Sequence, residues 1–271
     1  MVTSASRHCS ITTGLIKTMK NNNTQVVAII PARYKSNRFP GKPLAPIDGK
    51  PMIQHVVERA QKVELLSRVV VATDDTRIAG CVEAFGGDVV MTRDDHVSGT
   101  DRLAEAAEIL GVSAHDVVVN IQGDQPLFPL EIIDQVTRPL LEDPGLPMST
   151  LIYKIIREEE IDDPNHVKTV FDRDYNALYF SRSAIPHQRN PEDDTPTYYK
   201  HLGVYAYRKD FLLTYVDLPV GEWEHFEKLE QLRALENGFK IKVVLTAHDS
   251  VEVDTEDELR RVEEILIAGR P

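Results

Sequence analysis

Four short apolar runs, rich in valine and isoleucine, constrain the fold of this chain more than any other feature. Gln25–Pro31 (QVVAIIP), Arg68–Asp74 (RVVVATD), Asp88–Thr92 (DVVMT) and Asp116–Ile121 (DVVVNI) all have strand length and no polar alternation. Strands of that kind are covered on both faces, which is the situation of a parallel sheet, and proline is expected to stop the first at Pro31. Between the runs the apolar period becomes helical. In Pro51–Val63 it falls on Ile53, Val56, Val57 and Ala60, and Asp75–Phe85 and Thr100–Leu110 read the same way, each followed by glycine. This alternation predicts an α/β fold with a doubly wound, mostly parallel, Rossmann-like sheet.

The second half is more mixed. Met148–Tyr153, Val167–Phe171, Gly203–Tyr207 and Lys240–Leu245 read as strands, and Glu224–Glu236 as one helix with Phe226, Leu229, Leu232 and Leu235 toward the core. Thr255 with Glu258 forms a capping-box signature that opens a last helix to about Ile267. Ile185–Thr197 is polar and proline-rich and reads as an exposed loop. Residues 1–24 carry Arg7, Lys17 and Lys20 without an acid and read as a disordered tail, with Met19 as an alternative start. Residues 25–271 read as a single domain.

Composition matters chiefly through charge. With 43 Asp and Glu against 31 Lys and Arg the formal charge is -12, which argues against a nucleic-acid track. Two cysteines and no membrane-length apolar run suggest a reducing, cytoplasmic setting without membrane insertion. Against this acidic background, Pro31–Pro43 holds Arg33, Lys35, Arg38 and Lys42, plus Ser36 and Gly41, and no acid. A cationic loop at a strand end suits a polyphosphate, although a plain solvated loop has the same composition. It has neither the GxxxxGK[ST] order nor a GxGxxG turn.

That segment, IPARYKSNRFPGKPL, resembles the opening signature of cytidylyltransferases that activate acidic sugars. The resemblance runs on through GKPMIQHVVERA, VVVATDD, SGTDR, VNIQGDQP, ALYFSRSAIP, KHLGVYAY, LEQLRALENG and EVDTEDEL, from about Val26 to Ile267. The set is similar to the 3-deoxy-manno-octulosonate (KDO) cytidylyltransferases. The resemblance implies transfer of CMP from CTP to the C2 hydroxyl of a sugar acid, with release of pyrophosphate, for lipopolysaccharide biosynthesis. It also implies a cytoplasmic homodimer, joined through about residues 176–223, which further contribute to sugar binding.

By resemblance, Arg33 and Lys42 hold the triphosphate with Ser36 and Arg38 in support. Thr73, Asp74, Ser98, Thr100 and Arg102 fall where cytosine and ribose contacts lie, although Ser98 also suits a helix cap. Asp124 and Asp254 would bind Mg²⁺, a hard cation suited to carboxylate and phosphate oxygens. Gln122, Arg182, Arg189, His201, Tyr205, Glu230 and Gln231 would meet the sugar acid, with His201 as a contact rather than a base. Glu230 and Gln231 could equally be the wet face of a helix, and Arg189 a solvated loop residue.

Two departures bear on the sugar. Most of the family reads GDEP where Gly123–Pro126 is GDQP, and a glycine commonly stands where this chain has Glu252. Gly123–Leu127 (GDQPL) and Asp249–Thr255 (DSVEVDT) resemble the branch that uses 8-amino-3,8-dideoxy-manno-octulosonate, whose C8 ammonium a carboxylate such as Glu252 would suit. The amino sugar is therefore the expected substrate, with KDO close behind. A CMP-sialic acid synthetase-like enzyme and a non-catalytic nucleotide-binding paralogue are the alternatives.

Overall fold

The computed structural model describes residues 24–35, 39–190, 192, 194–249 and 252–268. In chain order the first half contains β1 (Val26–Ala32), β2 (Pro46–Ile47), β3 (Lys50–Pro51), α1 (Met52–Ala60), β4 (Arg68–Thr73), α2 (Thr76–Ala84), β5 (Asp88–Met91), α3 (Gly99–Ile109), β6 (Val117–Asn120) and α4 (Glu131–Glu142). The second half contains β7 (Met148–Lys154), α5 (Glu159–Asp162), β8 (Lys168–Phe171), β9 (Ala177–Ser181), β10 (Tyr199–Arg208), α6 (Lys209–Asp217), α7 (Glu222–Glu227), α8 (Leu232–Glu236), β11 (Ile241–Thr246) and α9 (Glu256–Ala268).

The main sheet has the order β11-β7-β10-β6-β1-β4-β5, and β8 and β9 extend it from β10. Along this path all pairings are parallel except those of β10, which runs antiparallel to both β6 and β7. One face is covered by α1, α2 and α4 through residues such as Val56, Ile78 and Val136. The other is covered by α3 and α6 through Leu103, Ala107, Phe211 and Tyr215. The doubly wound arrangement expected from the buried runs is therefore the one adopted.

Three expectations need correction. β1 continues through Pro31 to Ala32, paired with Ala72 and Thr73 of β4. Pro31 is tolerated because its missing N–H would face β6, whose ladder has ended where Ile121 donates to the Ile29 carbonyl. The strand expected at Gly203–Tyr207 is longer and starts at Tyr199. The single helix expected over Glu224–Glu236 is broken: Lys228 ends α7 at φ 53°, in the left-handed region, and α8 restarts at Leu232. The break turns Phe226 outward, 74% exposed, while Leu229 and Leu232 stay in the core. Residues 1–23 of the tail lie outside the described residues.

Because Ile29 is fully buried at the centre of the sheet, Ile29→Ala should cost about 3 kcal/mol of unfolding free energy in urea titrations. A loss below 1 kcal/mol would contradict this placement.

Candidate active site

In a parallel sheet, chain segments leaving the carboxyl ends of the strands share one edge. Here the residues after β1, β6 and β11 meet in a cleft of about 270 Å³, lined among others by Arg33, Lys42, Ser98, Arg102, Gln122, Asp124 and Asp254. Ser36 and Arg38 lie outside the described residues. The basic loop is pinched at its base, where the Gly41 amide donates to the Tyr34 carbonyl at 2.9 Å. Gly41 adopts φ 74°, a backbone angle that favours glycine, and the Tyr34 ring, 3.1 Å from where a Cβ would stand, leaves little room for a side chain. The pinch lets the loop return so that Arg33 and Lys42 both line the cleft.

The centre of the cleft is an ion triad. Lys42 Nζ donates to Asp124 at 2.7 Å and to Asp254 at 3.1 Å, with its side chain only 13% exposed. Burial works against the charge on Lys42, but the two carboxylates outweigh it and hold its ammonium above the ordinary lysine value. Asp124 is brought in by the tight turn after β6, where Gly123 approaches the Pro31 carbonyl and a Cβ would come within 3.2 Å of it. Asp254 is brought in by the segment after β11, where the Val253 amide donates to the Asp124 carbonyl at 2.9 Å. α9 follows at once, with Thr255 and Glu258 bonded reciprocally as the capping signature requires.

Glu252 stands beside this triad and accepts from Gln125 Nε2 at 2.9 Å. Its side chain reaches the surface, yet its carboxyl is crowded by protein. Desolvation, then the charges of Asp124 and Asp254, push its pKa up against the opposing pull of Gln125 and Lys42. The solvent at its outer side moderates the shift.

The nucleotide candidates divide. Ser98 and Arg102 line the cleft. Arg102 is buried, bonded to Thr92 and 3.5 Å from Asp74. Thr73 is buried at the end of β4, its hydroxyl accepting from the Asp75 amide. Ser98 caps α3 in a full capping box with Asp101, so its cap role and its cleft position coexist. Its hydroxyl also donates to Glu230 at 3.1 Å, and Thr100 bonds Glu230 and Tyr207.

That contact links the cleft to a recess over the start of β10. His201, Gly203 and Tyr205 alternate toward it, and the space beside Gly203 is open. His201 lies 5.2 Å from both Phe180 and Tyr205, with Thr150 Oγ1 2.9 Å from its Nε2. Protein packed around the ring pushes its pKa down to about 3, with the residual solvent access acting against that shift. Glu230 is pushed up by burial, against the bonds from Thr100 and Ser98. The helix break at Lys228 is what turns Glu230 and Gln231 inward, Gln231 being 5% exposed, so neither lies on the wet face of a helix. Gln122 joins the recess to the cleft by donating to the Gly203 carbonyl at 3.0 Å.

The remaining sugar candidates stand apart. Arg182 donates to the carbonyls of Pro164, Glu227 and Lys228, capping the end of α7. Arg189 is exposed in the loop between β9 and β10. His96, unmarked by the sequence reading, lines the cleft and bonds Glu105. A lone histidine in a polar loop gives little signal, and only its fixed spacing before Ser98 and Gly99 could have drawn attention. Beyond it lies a depression of about 690 Å³ between α3 and α6, whose lining includes Asp95, Asp101, Glu105 and Glu108. Its lining has Arg93 against these acids, whereas the smaller cleft is lined by Arg33, Lys42 and Arg102 against Asp124 and Asp254.

The family profile described as cytidylyltransferase matches residues 27–241. The chain belongs to the cytidylyltransferase family. A 3-deoxy-manno-octulosonate cytidylyltransferase of Syntrophus aciditrophicus (strain SB) is 60% identical over 244 residues, covering 90% of this chain and 98% of that protein. An 8-amino-3,8-dideoxy-manno-octulosonate cytidylyltransferase of Shewanella sp. (strain ANA-3) is 56% identical over 242 residues, covering 89% and 98%. Among solved structures, a CMP:2-keto-3-deoxy-manno-octonic acid synthetase complexed with CTP superposes with a TM-score of 0.86 at 44% identity, covering 91% of this chain and 100% of that one. This cytidylyltransferase is thus a nucleotidyltransferase enzyme of the octulosonate branch. No helix among its described residues is long and apolar enough to cross a membrane.

Two outcomes follow for the ligand-free cytidylyltransferase. Unfolded Glu252 would release its proton near 4.5 while the folded protein retains it to higher pH, so this group removes stability as pH rises through that window. Glu252→Gln should therefore melt about 2 °C above wild type at pH 8 and level with it at pH 4, by calorimetry. A histidine held near 3 stays neutral, so carbon and nitrogen chemical shifts of His201 should not titrate between pH 5 and 8. A titration midpoint above 6 would show the recess to be wetter than its packing implies.

Proposed function

We propose that this cytidylyltransferase transfers CMP from CTP to the anomeric C2 hydroxyl of a 3-deoxy-manno-octulosonate-type sugar acid, releasing pyrophosphate, within lipopolysaccharide biosynthesis. The observation that carries this reading is the convergence of Lys42, Asp124 and Asp254 beside Arg33 in one cleft. The names of the relatives support the same chemistry.

In this reading Arg33 and Lys42 bind the triphosphate, with Ser36 and Arg38 in support. Thr73, Asp74, Ser98, Thr100 and Arg102 serve the cytidine end. Asp124 and Asp254 offer hard oxygens converging on one cation, the donor chemistry that Mg²⁺ takes. Among the described residues no three His, Cys, Asp or Glu side chains form a closed metal site, so phosphate oxygens and water would complete the set. Bound there, Mg²⁺ would neutralise charge on the phosphates. His201, Tyr205, Gln122, Glu230 and Gln231 position the sugar acid, and a histidine with so low a pKa serves as a contact, not a base. Arg189 would meet the sugar carboxylate from its loop. Arg182 would have to exchange backbone carbonyls for substrate to do so.

The amino sugar is the proposed preference. Glu252 sits among carboxylates that press its proton affinity upward, and an ammonium at C8 would relieve that. The enzyme is further proposed to act as a homodimer, for which the exposed Leu178 (60%), Val220 (61%) and Trp223 (48%) are candidate contacts.

Incubation with CTP, Mg²⁺ and each sugar acid tests the assignment. Pyrophosphate release is expected with octulosonates and not with sialic acid. Its absence with every sugar would favour the non-catalytic paralogue. Lys42→Met should lower kcat about 10³-fold. The 8-amino sugar should exceed KDO in kcat/KM by about tenfold, a margin that Glu252→Gly abolishes. A preference for KDO, or indifference to Glu252→Gly, refutes the amino-sugar assignment. Sedimentation of wild type and Trp223→Asp tests the dimer, the variant being expected as monomer.

A further inference from the structure

The segment that carries Glu252 and Asp254 leaves β11 at Thr246 and reaches Asp124 after β6. The sheet order places β7 and β10 between those points, so the chain spans their width between Thr246 and Val253. Its fastening on the far side is the Val253 amide bond to the Asp124 carbonyl, together with the burial of Val253 against Ile47, Met52 and Val262. On the near side Asp249 meets Lys200.

Lys200 is the second residue of β10, and its neighbour His201 faces the opposite side of the strand. Its ammonium is almost wholly buried and lies 2.9 Å from Glu160 and 2.9 Å from Asp249. Glu160, 3% exposed, also accepts from Arg157 Nε at 2.7 Å. Lys200 and Glu160 alone would make a neutral buried pair. Arg157 adds a second cation, and Asp249 supplies the anion that balances it. Asp249 is the outer member, its side chain 37% exposed, and the only one of the four on the crossing segment.

We propose that Lys200 is a positioning residue which, through Asp249, anchors the chain leaving β11 and so helps to set Glu252 and Asp254 against Asp124. Its catalytic consequence rests on the reading of Asp124 and Asp254 given under Proposed function; its structural part does not. A buried ammonium in a rigid strand is a suitable anchor, because breaking its contact leaves a desolvated charge. The same strand presents His201 to the recess, so the sugar-side and phosphate-side groups share one support.

The test compares wild type with Asp249→Ala, Lys200→Arg and Lys200→Met. Asp249 is the outer, partly exposed member, so its alanine variant should still fold, with a melting temperature lowered by less than in Lys200→Met. Without ligand, amide hydrogen exchange at Val253 is expected to quicken about tenfold in Asp249→Ala, while amides of β1 and β6 keep wild-type rates. The Mg²⁺ concentration for half-maximal pyrophosphate release should rise about tenfold, with a smaller change in kcat. Lys200→Arg should retain both properties, and Lys200→Met should lose both along with thermal stability. Wild-type exchange at Val253 in Asp249→Ala overturns the proposal. If wild type releases no pyrophosphate, the functional reading fails, and the exchange comparison still decides whether Lys200 and Asp249 hold the segment.

Discussion

The contact of Lys42 with Asp124 and Asp254 is what the rest of this structure is arranged around. The lysine is 82 residues from one carboxylate and 212 from the other, so local structure cannot make the triad. Two carboxylates converging in a partly buried cleft repel each other unless a cation lies between them. The pinched loop after β1, the tight turn after β6 and the crossing segment after β11 each deliver one member. The buried sheet fixes the starting point of all three.

Much of that arrangement was legible in the residues. Runs such as Arg68–Asp74 could only be strands covered on both faces, and the helical periods between them left little choice but winding on both sides. Lys42, Asp124 and Asp254 were visible only through their motifs, since nothing local about a lysine or an aspartate reveals a partner so far along the chain. What was not legible had specific physical causes. Pro31 reads as a terminator, but the ladder on its N–H side had already ended. Lys228 interrupts a helical period that is continuous in the sequence, because a left-handed residue leaves no trace in hydrophobicity. Arg182 reads as a free guanidinium until the carbonyls at the end of α7 are seen to hold it.

Charge is distributed to match. Arg33, Lys42 and Arg102 line the small cleft, while acids outnumber Arg93 in the lining of the larger depression between α3 and α6. The lining charges thus differ in sign between the two openings, although the protein as a whole is acidic. His96 stands at the boundary and lines both openings, tied to Glu105.

The irregularity in β10 has a consequence for how this fold can vary. Pairing with β7 jumps from Leu202 opposite Leu151 to Tyr205 opposite Thr150, so three steps along one strand match one step along the other. The excess is an even number of residues, and side chains before and after it keep the same alternation. Depth over the recess can therefore be gained at Gly203 without turning Lys200 and His201 to the wrong sides. Growth of the strand by a single residue at the same place would exchange the faces of everything before it. The bulge thus behaves as a spacer that tolerates changes only in pairs, and the recess could be reshaped there while the supports beneath the cleft stay in phase.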